Sequence, residues 1–362
     1  MAMRVVHLVP ALFDCRAGVL GGAERYALEL ARTMAEVTPT RLVTFGPSDM
    51  EQTLGRLKVR VLGRPWRVRG QKHNPFSLRL FRQLREADVI HCHQQHILAS
   101  SAAAAYARLT GKRVFVSDLG GGGWDISAYL STDGWYHGHL HLSQYSRKVF
   151  GHENHPRARV VWGGVDTSRF RPDRSAAKDG TILYVGRLLP HKGINYLLEA
   201  ATPDMRIELV GQPYHKAYYQ ELHRLAQGKC VVFRHDCDDA ELVRAYQKAC
   251  CIVLPSVYRT MYGTESRVPE LLGQTLLEGM ACGLPAVCTA VASLPEVVED
   301  GVSGFVVPPN DPAALRQALV RLRESPELAR KMGEAARQRV LQRFTWAAVV
   351  ERCLAAYGDC GT

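Results

Sequence analysis

Residues 269–289 read PELLGQTLLEGMACGLPAVCT. The apolar stretch TLLEGMA, with Gly and Gln before it, predicts a helix that begins near Gly273, and AVCT at Ala286–Thr289 predicts a buried strand. Glu270 then lies in the loop at the helix mouth and Glu278 a turn inside the helix, with seven residues between them. The first amides of that helix, at Gly273, Gln274 and Thr275, have no partner within the helix and suit an anion. A carboxylate ahead of them can accept from sugar hydroxyls, and a second from a ribose diol. Without a ligand, the pair is a surface acid and a helix acid.

The same alternation extends outward in both directions. In the second half, apolar runs at Thr181–Val185, Ile207–Val210, Val231–Phe233, Cys251–Leu254 and Gly304–Val307 join Ala286–Thr289. In the first half they fall at Val5–Val9, Leu42–Phe45, Val59–Leu62, Val89–His91, Val114–Ser117 and His139–Leu142. Amphipathic stretches such as Ala23–Met34, Asn195–Ala201, Asp239–Ala249 and Pro312–Glu324 lie between them. This is the pattern of parallel sheets with crossover helices, and it occurs twice. Two doubly wound α/β domains are therefore expected in the 362 residues, with ligands at the carboxyl ends of the strands. The boundary is placed at the polar stretch after Phe170, giving domains 1–170 and 171–344, and a helix over about 345–362 is expected to return to the first domain.

Three further segments carry chemistry. Gly21-Gly22-Ala23-Glu24-Arg25 opens a long helix and is either a phosphate- or sugar-contacting turn or a plain glycine turn. It is not a GxGxxG, so a dinucleotide-dependent oxidoreductase is not supported. Gly186-Arg187-Leu188-Leu189-Pro190-His191-Lys192-Gly193 leaves a strand end with two cations five residues apart, one a fork and one a point charge, which suits a diphosphate. His91-Cys92-His93-Gln94-Gln95-His96 has no nearby acid or Cys pair, so no metal site is expected there. The ten cysteines include no CxxC pair and read as buried thiols.

These motifs, in this order, resemble the GT4 family of glycosyltransferases with the GT-B fold, two Rossmann-like domains facing across a cleft. GGAERYALELA, VGRLLPHKG, WGGVDTSRFRP and the run from PELLGQ to PPNDPAAL carry the resemblance over nearly the whole chain. It implies a retaining transferase, hexosyltransferase-like, taking a sugar from a UDP- or GDP-linked donor with neither cofactor nor metal. Arg187 and Lys192 would bind the diphosphate, Glu270 the sugar hydroxyls and Glu278 the ribose. Leu272, Gly273, Gln274 and Thr275 would line the donor, and Gly21 and Gly22 would lie beside the donor phosphate and the acceptor. Glu24, Arg25, His93 and Trp124 would face the acceptor. Many members carry His where this chain has Asp118, which orients the acceptor hydroxyl or contacts the donor sugar, or else is an exposed loop acid that does neither. The segment Tyr258–Val268 looks longer than in many members and could cover the donor.

The net charge is +11, and residues 1–170 hold 23 Lys/Arg against 13 Asp/Glu, a net of +10. Ten basic residues and no acidic one occur from Arg56 to Arg85. This suits an anionic acceptor, a lipid-linked or other glycan precursor, or the anionic inner face of a membrane, or else it is a solvated face. Basic–aromatic ladders are missing, which argues against nucleic acid. No apolar run reaches the roughly 18 residues of a membrane span, and MAMRVVHLVPALF reads as a first strand rather than a signal peptide, so a cytoplasmic protein is expected. A nucleotide-sugar epimerase of the same architecture is the alternative enzyme.

Overall fold

The computed structural model describes residues 2–10, 22–71, 73–119, 132–173 and 175–359. It divides into two compact units, Met1–Gly164 with Trp346–Thr362, and Val165–Thr345. The division falls at Gly164, ahead of the polar stretch after Phe170. Gly164 packs so tightly under the Trp346 indole that an added Cβ would lie 2.5 Å from it, while Val165 N–H bonds to the Phe344 carbonyl at 2.8 Å.

The first unit contains β1 (Val5–Leu8), β2 (Thr40–Gly46), β3 (Met50–Leu54), β4 (Leu57–Gly63), β5 (Trp66–Arg67), β6 (Pro75–Phe76), β7 (Val89–Cys92), β8 (Arg113–Val116), β9 (Gly138–His141) and β10 (Ala158–Val160). Its main sheet runs β10-β9-β8-β7-β1-β2-β4-β3, parallel except for β3, and β5 and β6 form a separate hairpin. One sheet face packs Val6, Leu8, Ile90 and Val114 against alanines of the helix Leu98–Leu109. The other packs Leu42 and Val59 against Ala27, Ala31 and Ala35 of the helix Gly22–Ala35. Alanine on these faces lets each helix approach the sheet closely.

The second unit contains β11 (Ile182–Val185), β12 (Arg206–Val210), β13 (Cys230–Arg234), β14 (Cys251–Leu254), β15 (Ala286–Thr289) and β16 (Gly304–Val307). They form one parallel sheet in the order β13-β12-β11-β14-β15-β16. Chain order reverses between β11 and β14, the switch point at which open α/β sheets bind ligands. All twelve strand runs read from the sequence fall on strands. The sequence reading lacks β3, β10 and the β5–β6 hairpin. Strand β3, MEQTL, is an exposed, polar edge strand with no apolar alternation. Gly55, at φ +61°, makes the tight turn that sends it back against β4.

Among the described residues the cysteines are free: Cys92, Cys251, Cys282, Cys288 and Cys353 are buried, but Cys230 is exposed and Cys237 and Cys250 are half-buried. No helix of the described residues is long and apolar enough to cross a membrane.

Candidate active site

In the second unit the chain leaves β11 through Gly186, held at φ +153°. Buried Tyr184 donates from its hydroxyl to the Arg187 carbonyl at 2.9 Å, fixing the start of the loop. A 3-10 turn over Pro190–Lys192 follows, and Gly193 closes it at φ +65°. Gly193 is required there because a Cβ would lie 2.0 Å from the Pro255 carbonyl oxygen. Val257 N–H donates to the His191 carbonyl at 2.9 Å, so this loop is stitched to the one that follows β14.

That stitching brings together residues far apart in sequence. Lys192 Nζ lies 2.5 Å from Glu270 Oε1, with side chains only 13% and 8% exposed. Ser256 Oγ donates to the same carboxylate oxygen at 2.6 Å, and Ser293 Oγ to the Glu270 carbonyl at 3.3 Å. Two donors on one buried oxygen fix the carboxylate and satisfy its charge. The neighbouring His191 imidazole is pushed down to about 4, mainly by burial and then by Lys192, so it is neutral near pH 7.

The helix Gln274–Ala281 starts after Leu271, Leu272 and Gly273 have followed Glu270, with Gly273 at φ +82° as its cap and no side chain bonded there. The turn needs glycine for its backbone angle, and a Cβ at 273 would also press to 2.8 Å from the Leu294 Cδ2 methyl. Leu272 is buried beneath it, whereas Gln274 and Thr275 are half-buried. Glu278 is buried inside the helix and accepts from the Tyr246 hydroxyl at 2.9 Å. Arg187 is exposed at the mouth of its loop, and no ion pair engages it among the described residues.

The structure thus joins Lys192 and Glu270 directly, and Gly273 to Thr275 follow Glu270 in the chain. Glu278 sits deeper, on Tyr246. Ser256, Ser293 and Tyr246 escape the sequence reading. Ser256 stood at a strand end, a signal that could have found it, but Tyr246 looks like any aromatic on an amphipathic helix.

The remaining candidates lie in the first unit or outside the described residues. Gly21 and Trp124 belong to the latter. Gly22 begins its helix exposed, with Glu24 and Arg25 half-buried in the first turn, and Asp118 is half-buried beyond β8. His93 is buried, its Nε2 2.8 Å from His7 Nδ1 and its ring stacked on His91 at 4.4 Å. His7 and His91 face each other across β1 and β7, at the switch point of this sheet.

Burial drives all three imidazoles down, His7 to about 3 and His91 and His93 well below their ordinary value. In the unfolded chain each takes its proton near pH 6.5. The unfolded state therefore binds more protons below that pH, and stability is lost as pH falls from about 6.5 toward 3, by up to about 1.4 kcal/mol per pH unit for each imidazole. Urea unfolding from pH 7.5 to 4.5 should show the loss beginning near pH 6.5, above the carboxylate range. Constant stability down to pH 5 would contradict neutral histidines in this core.

Comparison with known proteins bears on the family and the fold. Residues 166–339 match the family model for glycosyl transferases group 1, and residues 20–169 the model for glycosyltransferase family 4. A D-inositol 3-phosphate glycosyltransferase of Streptomyces bingchenggensis is 33% identical over 213 residues, covering 52% of this chain and 44% of that protein. An alpha-maltose-1-phosphate synthase of Mycolicibacterium smegmatis is 31% identical over 229 residues, covering 56% of each. The chain spans about half the length of these curated relatives. The crystal structure of Anabaena Alr3699/HepE in complex with UDP and glucose superposes with a TM-score of 0.73 at 18% identity, covering 99% of this chain and 100% of that one. That likeness shows a shared fold.

Proposed function

We infer that this chain, which belongs to the GT4 glycosyltransferases and carries the GT-B fold, moves a sugar from a nucleoside diphosphate to an acceptor hydroxyl with retention of anomeric configuration. The observation that carries this reading is the buried Lys192–Glu270 pair at the switch point, one turn of chain before an uncapped helix N-terminus. The diphosphate lies against Lys192, Arg187 and the amides of Gly273 to Thr275, Glu270 holds the sugar hydroxyls, and Glu278 the ribose. The unit Met1–Gly164 with Trp346–Thr362 serves the acceptor and the unit Val165–Thr345 the donor.

In the transfer, the bond between the anomeric carbon and the diphosphate oxygen breaks. The acceptor oxygen bonds to the same face of that carbon, and its proton passes to the departing phosphate. Negative charge grows on the diphosphate, so fixed cations and amides stabilise the transition state more than the ground state, with no metal in the step. Because the departing phosphate takes the proton, no dedicated base is assigned, and Asp118 orients the acceptor. UDP in the complex of the structural neighbour supports a uridine donor here. The named relatives are transferases and synthases, so an epimerase is not favoured.

A thermal-shift panel of UDP-, GDP- and ADP-sugars tests this reading. One donor at 100 times its Kd should add about 2.7 kcal/mol to stability. If no nucleotide sugar shifts the midpoint at millimolar concentration, the donor site is refuted.

The acceptor is an anionic or lipid-linked glycan precursor met at the inner membrane face. Part of the Arg56–Arg85 charge is already neutralised, Arg60 by Glu51 at 2.9 Å and Arg79 by Asp49 at 2.7 Å. Within the patch Trp66 is 61% exposed, an aromatic suited to an interface. Vesicles containing anionic lipid should sediment the protein at low salt and release it at high salt. Equal sedimentation with neutral vesicles would remove the membrane from the account.

A further inference from the structure

The first unit carries a second convergence of side chains that the transfer reaction does not use. Asp133 opens the 3-10 turn Asp133–Trp135, His139 lies on β9, and His152 follows the helix Gln144–Val149. One donor atom from each lies within 4.8 Å of the other two. His152 Nε2 stands 3.4 Å from Asp133 Oδ2, and His139 Nε2 3.3 Å from the Asp133 carbonyl. Both exceed the roughly 2.9–3.0 Å of a good N–H···O bond. Two ligands on a tetrahedral zinc ion, each about 2.0–2.1 Å from the metal, stand roughly 3.3–3.4 Å apart, the separation of His152 Nε2 and Asp133 Oδ2; the Asp133 carbonyl is a neighbour of His139 and not one of the three ligands. Buried His139 also leaves Nδ1 with no hydrogen-bond partner among the described residues.

The groups behind these three are arranged as metal ligands require. Gln95 Nε2 donates to Asp133 Oδ1 at 2.6 Å and so occupies the oxygen that does not face His152. His152 Nδ1 is paired with His141 Nε2 at 3.0 Å, which orients the ring and leaves Nε2 toward Asp133. Such outer partners fix ligand tautomer and direction. A fourth imidazole, His155, has its ring 5.0 Å from that of His139 and 5.4 Å from that of His152. The His7–His91–His93 group is equally close-packed but differs in kind. It has no carboxylate, and Met34, Ser117 and Tyr357 already engage the ring nitrogens of His7 and His91.

We propose that Asp133, His139 and His152 hold a divalent transition-metal ion, zinc by the chemistry of the donor set, which pins the turn at Asp133 and the segment before β10 to β9. Two imidazoles and one carboxylate leave a fourth position for His155 or water. The ion is structural, in the unit that does not contain Lys192 and Glu270.

The test uses the full chain without a polyhistidine tag, stripped with chelator and titrated with Co²⁺ and then Zn²⁺. One Co²⁺ per chain should bind with the visible absorption of a low-symmetry site, Zn²⁺ should displace it, and the thermal midpoint should rise with either ion. His152→Ala should abolish binding. Asp133→Asn, which keeps the shape of a half-exposed side chain, should weaken it by more than the ~10–100-fold that outer-partner changes cost. His93→Ala should bind as the parent does. Failure to bind at millimolar metal, or binding indifferent to both Asp133→Asn and His152→Ala, overturns the proposal.

Discussion

Lys192→Ala should lower kcat/KM by about 10²–10³-fold, the usual cost of removing one preorganised donor from a developing anion. The Lys192 side chain is 13% exposed, so its charge acts where water screens little. Among the described residues its ammonium is paired with Glu270, at 2.5 Å. An incoming diphosphate therefore meets a cation already fixed by an anion, at no further cost in side-chain freedom. The loss should appear with nucleoside diphosphate as well as with nucleotide sugar, because the contact is to phosphate. Circular dichroism and the thermal midpoint separate this from unfolding: among the described residues the variant leaves the Glu270 carboxylate with only the Ser256 hydroxyl, a cost to stability that Lys192→Met shares without restoring activity.

Glu270→Ala should cost a comparable factor in kcat/KM, with a different signature. The carboxylate is proposed to hold sugar hydroxyls, so binding of the nucleotide sugar weakens while binding of the free nucleoside diphosphate changes little. Glu270→Gln retains an acceptor for Ser256 Oγ and should fold like the parent, yet it loses the charge that faces Lys192. Since the two side chains share one contact, their effects should not add. The double variant should lose less than the product of the single losses, as for residues that act as a unit. Additive losses, or a Glu270→Ala variant that binds free nucleoside diphosphate as weakly as it binds the sugar nucleotide, would detach Glu270 from the sugar.

Legibility in the sequence followed burial. Parallel strands are covered on both faces, so β11 and β14 appear as unbroken apolar runs that need no partner to be recognised, and β1 and β7 as apolar runs broken only by a buried histidine. The three-residue β10 and the polar edge β3 carry no such signal, because their pairing is set by neighbours rather than by their own side chains. The loop cations and the two glutamates were legible one segment at a time. The ion pair between positions 192 and 270 was not, since it follows from β11 and β14 being neighbours in the sheet. Tyr246 beneath Glu278 is the same case, a contact between helices 32 residues apart. In the first unit the sequence reading takes up only the histidines of 91–96. The His139-x-His141 and His152-x-x-His155 spacings offered a second cluster that the sequence reading passed over, because Asp133 joins them only through the turn ahead of β9.

The central claim is that Lys192, Arg187 and the turn at Gly273 receive a diphosphate. It is tested most directly by titrating uridine, UMP and UDP into the parent protein and into Lys192→Ala by calorimetry, and repeating the series with the matching guanosine and adenosine compounds. With the preferred base, affinity for the parent should climb steeply from mono- to diphosphate, and Lys192→Ala should erase that step while leaving nucleoside binding in place. If all three compounds of every base bind alike, or Lys192→Ala keeps the preference for two phosphates, the anion lies elsewhere and the account fails.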